Sequence, residues 1–246
     1  MSLRSSREAT TSNQIDRRDY IQYNGSKPII PDYFLVTNGY NLLKVGTQTN
    51  PYTIVNESNY DYYILAGIEN NEIFSELIIK NLNIHKYCAV DTNVENISLN
   101  FPENMKILNR QLGHLCNNQF DNLLYFTEKY DNMFLKVNAY GQEYLWLLAI
   151  PKEHLLKFKQ LVITFSEVNN NPTQARANNK IRCFKKMMDT HNIAFMKYTG
   201  MDLIITYIRK DITIKQPNDE TDEKQAAEEA ARIAAEQQVA EENNTE

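Results

Sequence analysis

The sequence predicts an α/β fold: a three-layer sandwich built on a mostly parallel sheet that ends in an antiparallel hairpin. Two observations carry this. From residue 62 onward, short apolar runs alternate with stretches of helical spacing, the runs being Tyr62–Ala66, Lys86–Val90, Met105–Leu108, Met133–Val137 and Leu161–Phe165. Short runs with no polar face fit strands buried on both sides, as parallel strands are. Near the end, Ile193–Met196 and Leu203–Ile208 flank Thr199-Gly200, which reads as a hairpin.

The elements follow in order. Residues 1–18 are polar, the composition of a disordered segment. Tyr20 to Pro31 reads as an extended arm, because Asn24-Gly25 marks a turn and Pro28 and Pro31 forbid a helix between them. Tyr33–Val36 and Tyr40–Val45 lie on either side of Asn38-Gly39, a hairpin signal, and Tyr52–Val55 is a further strand. Glu72–Lys80 sets Ile73, Phe74, Leu77 and Ile78 on one helical face, and Phe120–Tyr130 repeats that spacing through Phe120, Leu123, Leu124 and Tyr130. Tyr144–Ile150 and Lys152–Phe158 read as helices, with Pro151 placed to open the second. Asn169-Asn170-Asn171-Pro172 is a loop, and Lys180–Thr190 is the last helix of the body.

The expected organisation is an N-terminal arm over 1–32, one α/β domain over 33–215 and an acidic tail over 216–246. The tail holds ten acids and two bases, a net −8, which leaves +3 on the rest of a chain whose total is −5. Asp222 and Gln225 form a capping box before the Ala/Glu/Gln-rich stretch 225–240, where only Ile233 and Val239 are large and apolar. Such a helix has no stripe to bury and is expected to be solitary or disordered.

Composition excludes several classes. With 42% hydrophobic and 23% charged residues the chain is ordinary globular material. No apolar run approaches the roughly 20 residues that span a bilayer, and residues 1–18 lack a signal's apolar core. The expectation is a soluble, cytoplasmic protein. Basic residues are scattered rather than clustered with aromatics, so no nucleic-acid stripe is expected. Cys88, Cys116 and Cys183 form no CxxC pair, and the four histidines show no HxH or HExxH spacing, so reduced thiols and no metal site are expected.

Read in register, the chain resembles the FkbM-like SAM-dependent methyltransferases from about residue 40 to 210. Lys44-Val45-Gly46, Asn50-Pro51-Tyr52-Thr53-Ile54 and Leu65-Ala66-Gly67-Ile68 stand where that family carries Arg-Ile-Gly, Asp-Gly-Gly-Tyr-Val-Ile and Ser-Phe-Gly-Ile. Asp91 matches the acid that ends the family's second strand. The most specific piece is Leu135-Lys136-Val137-Asn138-Ala139-Tyr140-Gly141-Gln142-Glu143, against the family's Leu-Lys-Ile-Asp-Ile-Glu-Gly-Ala-Glu. The resemblance implies a Rossmann-like methyltransferase fold, SAM as cofactor if the protein is active, Gly67 and Asp91 as cofactor-binding residues, and Asn138 and Glu143 as candidate catalytic positions.

The departures from the family are at the chemistry. A SAM pocket needs a glycine-rich turn after the first strand so that backbone can approach the cofactor. Here only Gly67 remains, followed by Ile68-Glu69-Asn70-Asn71. The family's Asp-Gly-Gly is Thr49-Asn50-Pro51, its Asp-Ile-Glu-Gly is Asn138-Ala139-Tyr140-Gly141, and a His often found after its fifth strand is Ser166. Each surviving residue also has a structural reading. Asp91 either accepts ribose hydroxyls or caps the following turn beside Asn93. Glu143 is either a site acid or a first-turn acid favoured by the helix dipole. Gly141 serves a tight strand-to-helix turn, and Trp146 belongs to the core.

Two functions follow. One is an inactive methyltransferase-like protein used for assembly, gripping protein partners through the arm or the tail. By resemblance only, such a protein would belong to an AT-rich genome or a large DNA virus, and would be virion-associated if viral. The other is an active SAM-dependent methyltransferase of unknown acceptor.

Overall fold

The protein is described from a computed structural model covering residues 36–46, 51–68, 73–92, 102, 104–171 and 173–212. The arm over 1–32 and the tail over 216–246 lie outside the described residues, as do Glu69 and Asn93.

Two short strand pairs stand apart from the main sheet: β1 (Leu42–Gly46) with β2 (Pro51–Val55), and β6 (Gln111–Leu112) with β7 (Phe120–Asp121). The central sheet has seven strands. In chain order they are β3 (Tyr63–Ala66), β4 (Tyr87–Val90), β5 (Lys106–Leu108), β8 (Met133–Val137), β9 (Phe158–Phe165), β10 (His191–Tyr198) and β11 (Leu203–Arg209). The sheet order is β10-β11-β9-β8-β3-β4-β5. β4, β3, β8 and β9 are adjacent and all parallel, as the four apolar runs predict. β10 and β11 close the sheet as the expected antiparallel hairpin, β11 running antiparallel to β9. This is a mostly parallel, Rossmann-like sheet closed by a terminal antiparallel hairpin.

Successive residues of a strand face opposite sides, and the core divides accordingly. Ile64, Ala66, Leu135, Val137, Leu161 and Ile163 pack under α3 (Gln142–Ala149), α4 (Lys152–Leu155) and α5 (Gln174–Thr190). Tyr63, Leu65, Phe134 and Val162 pack under α1 (Ile73–Asn81) and the β1–β2 hairpin. The helices therefore lie on both faces, with a hairpin sharing the second. Trp146 is fully buried, edge-on to Phe158, and its Nε1–H donates to Asn122 O at 3.1 Å. Burying such a side chain contributes about 3 kcal/mol before packing.

The hairpin docks on its face through side chains of the sheet. The Val55 N–H donates to Gln160 Oε1 at 2.8 Å, and Thr206 Oγ1 donates to Thr53 O at 2.5 Å. Two polar residues on buried strands thus satisfy the outer backbone edge of β2, which would otherwise be stranded.

Four expectations need correction. β1 pairs with β2, and of the expected Tyr33–Val36 run only Val36 lies among the described residues, where it makes a parallel bridge to Ile193 at the sheet edge. The helix expected over 120–130 is only α2 (Leu124–Thr127), because Asp121 Oδ1 accepts from Leu123 N–H, Asn122 Oδ1 accepts from Leu124 N–H, and Leu123 is left-handed at φ 64°. Those Asx bonds offer the backbone an alternative to helix. Phe120 and Asp121 go to β7. Phe158 opens β9 rather than ending a helix, since α4 stops at Leu155. Finally, α5 begins six residues before Lys180, where the Thr173 hydroxyl accepts from Arg176 N–H as an N-cap.

Candidate functional site

Open α/β sheets bind ligands beyond the carboxyl ends of their strands, at the point where strand order reverses. Here that point lies between β3 and β8. The chain leaves β3 through Gly67 and Ile68, β4 through Asp91, β8 through Asn138 and β9 through Ser166. All four sequence-predicted residues stand on this edge: Gly67, Asp91 and Asn138 directly at strand ends, Glu143 in the first turn of α3.

Gly67 has φ +91°, and a Cβ built on it would stand 1.8 Å from Asn138 O. The glycine is required because the backbone leaving β8 occupies the place of a side chain. The crossing is tied on both sides: Asn138 N–H donates to Ala66 O at 2.8 Å, and Gly67 N–H donates to Val90 O at 3.0 Å. Asp91 Oδ2 accepts from Ile68 N–H at 2.5 Å, while its own N–H donates to Leu108 O at 3.1 Å. One of the two oxygens that would read a ribose diol is thus already holding the segment that leaves β3. Asp91 and Asn138 are both half-buried.

Glu143 is buried completely. Its Oε2 accepts from Gly141 N–H at 2.7 Å and its Oε1 accepts from Ser166 N–H at 2.8 Å. Burial pushes its carboxyl up to about 7, against the opposing effect of those two donors. The next residue, Tyr144, donates its hydroxyl to Ser166 O at 3.1 Å. Consecutive residues of α3 therefore hold both backbone groups of Ser166. The turn that makes this possible runs through Tyr140 at φ +48° and Gly141 at φ +98°, the tight strand-to-helix passage expected of that glycine. Glu143 thus ties the β8–α3 turn to the exit of β9 with both of its oxygens.

Sequence reasoning missed Lys180. Its ammonium donates to Glu167 O at 2.6 Å and Asn170 O at 3.0 Å, and stands 5.1 Å from the centre of the Tyr144 ring. Burial lowers it to about 8. The signal was available: Lys180 occupies the i position of the apolar stripe continued by Cys183, Phe184 and Met187, where a lysine must find internal acceptors. Lys186 behaves likewise, donating to the carbonyls of Leu147, Leu148 and Ile150 at the end of α3. Among the described residues no group of three His, Cys, Asp or Glu could hold a metal ion.

No protein-family model and no curated protein matches the sequence. Solved structures do match in shape. A fibrillarin–Nop5p complex aligns over 61% of this chain and 72% of its own, at 15% identity and a TM-score of 0.40. A ribosomal protein L11 methylase from Lactobacillus delbrueckii subsp. bulgaricus aligns over 62% and 71%, at 13% identity and TM-score 0.37. TrmK from M. capricolum, bound to S-adenosyl-homocysteine, aligns over 62% and 64%, at 12% identity and TM-score 0.37. At identities this low the likeness says nothing of a shared reaction.

Proposed function

We propose that this chain keeps a methyltransferase-type fold without methyl-transfer chemistry and serves as a structural or assembly protein. The observation that carries the reading is the mutual engagement of the polar groups on the carboxyl edge. SAM brings an activated methyl group, so a protein using it mainly supplies binding and orientation. The groups that would do so here are turned inward. The open side of Gly67 faces Asn138 O, Ile68 N–H is held by Asp91, and Glu143 is closed on Gly141 and Ser166. These residues do not fit a SAM cradle.

In this reading partners are proteins, gripped by the N-terminal arm or the acidic tail. With a net charge of −8, the tail suits a basic partner, and that contact weakens as salt rises and screens it. The second reading, an active SAM-dependent methyltransferase of unknown acceptor, is favoured by Asp91, half-exposed at the end of β4 beside Gly67. Equilibrium dialysis of the full chain against radiolabelled SAM tests the choice: no retained label supports the proposal, and stoichiometric retention overturns it.

A further inference from the structure

We propose that the outward face of α3 is an interface at which two copies of this chain pair about a twofold axis. The inference goes beyond the functional reading, uses neither the arm nor the tail, and holds whether or not the fold carries a reaction.

Helix α3 reads Gln-Glu-Tyr-Leu-Trp-Leu-Leu-Ala, and its polarity is inverted. Its one charged residue, Glu143, points inward and is fully buried, with its carboxylate on the Gly141 and Ser166 N–H groups. Tyr144, Trp146 and Leu147 are buried with it. That leaves Leu145, 43% exposed, and Ala149 on the outside, with Leu148 half-buried beside them. A helix face that meets water ordinarily carries charge, and a helix that is apolar all round is ordinarily covered. Other helices of the molecule follow that rule: α5, packed beside α3, exposes Arg182, Lys185 and Asp189, and α1 exposes Glu76 and Lys80.

The apolar surface continues past the helix. Tyr140, just before its first turn, is 78% exposed. Leu115, in the loop between β6 and β7, is 48% exposed, and β6 lies against α3. Of the seven large apolar side chains exposed among the described residues, three therefore gather at this one helix rather than scattering singly.

Charge and area select a second copy as the occupant. In a twofold contact each residue meets its own copy or that of a close neighbour, so a charged patch would repel itself. Tyr140, Leu145, Leu148, Ala149 and Leu115 carry no charge, so self-pairing meets no such penalty and a basic or acidic partner finds nothing to select. These side chains leave about 400 Å² of apolar surface open on each copy, within the size of the largest patch on a typical monomer. Pairing covers about 800 Å² before the polar rim is counted, short of the roughly 1,200 Å² at which stable interfaces begin. Each copy also has its own complete core beneath α3. The dimer is therefore of the weak class, half-formed at tens of micromolar chain rather than obligate.

Sedimentation velocity of the full chain from about 1 to 300 µM, a range that brackets such an affinity, is the test. The wild type is expected to pass from monomer to dimer across it. Leu145→Glu sets like charges against each other in the contact and is expected to weaken association at least tenfold. Leu42→Glu is the control: that leucine is 40% exposed on β1, over the opposite face of the sheet, and its variant is expected to associate as the wild type does. Urea unfolding followed by Trp146 checks that each variant folds. Should Leu145→Glu not fold, Tyr140→Asn takes its place with the same expectation, since asparagine tolerates the left-handed φ of +48°. A wild type that stays monomeric overturns the proposal, as does association that Leu145→Glu leaves unchanged or that Leu42→Glu weakens equally. A monomeric wild type that Leu145→Glu strongly destabilises also overturns it, because the face is then covered by another segment of the same chain.

Discussion

Alanine at position 67 would have to stand 1.8 Å from Asn138 O, where real contacts of a Cβ do not fall below 3.0 Å. The strand exits must therefore part by at least 1.2 Å, the difference between those two distances. That movement strains the bonds crossing the same spot, Asn138 N–H to Ala66 O and Gly67 N–H to Val90 O. Leaving a buried backbone group unpaired costs about 1–3 kcal/mol. The positive φ adds about 1–2 kcal/mol for any residue with a Cβ. The expected loss is roughly 2–5 kcal/mol, a large share of the 5–15 kcal/mol that holds a typical domain. Gly141→Ala is the control. Its φ is also positive, at +98°, but nothing lies within 4 Å of the place its Cβ would take, so only the conformational cost of about 1–2 kcal/mol applies. Urea denaturation followed by Trp146, the sole tryptophan and a buried one, reads both variants. A Gly67→Ala protein no less stable than Gly141→Ala would refute the claim that Asn138 fills the space beside Gly67.

Other perturbations have defined outcomes. Because burial raises Glu143 from 4.5 to about 7, wild-type stability relative to Glu143→Gln should fall by up to about 3 kcal/mol as pH rises across that window, measured by urea unfolding at stepped pH; a rise instead would contradict the burial of that carboxylate. Cys88 and Cys183 are buried with thiols pushed up to about 12, whereas Cys116 is exposed, so Ellman's reagent should titrate one thiol in the native protein and three in urea. Fast reaction of a second native thiol would contradict the packing. Deleting residues 216–246 should move the melting temperature by less than about 3 °C, since two large apolar side chains cannot offset the ordering of such a segment. A large fall would show that the tail packs on the body.

The parallel sheet was legible because its strands are buried on both faces and therefore unbroken in the sequence. Tyr63–Ala66 and Met133–Val137 are buried at every position, Lys136 included. What was illegible depends on side chains that act at a distance. Nothing around Phe120 states that Leu123 turns left-handed, although Asp121-Asn122 is the kind of pair that bonds its own backbone two residues on. The pairing of β1 with β2 was not legible because Asn38-Gly39 is a strong local turn signal, whereas β2 is fixed from outside by Gln160 and Thr206, more than a hundred residues away. At the site, Gly67, Asp91 and Asn138 could be placed on one edge by strand order alone. Their contacts with each other could not, because each rests on the spacing of strand ends rather than on residue type. Glu143 was legible as a first-turn acid, but not its burial or its bond to Ser166, which lies 23 residues on.

The central claim is that this edge is closed on itself and does not take up SAM. Calorimetric titration of the full chain with SAM and with S-adenosyl-homocysteine tests it most directly, in the wild type and in Asp91→Ala. The account predicts no binding heat in any of the four titrations at ligand concentrations up to about 1 mM, the level at which an affinity of roughly 4 kcal/mol would register. Micromolar binding by the wild type that Asp91→Ala abolishes would contradict it, and would favour the reading of an active methyltransferase.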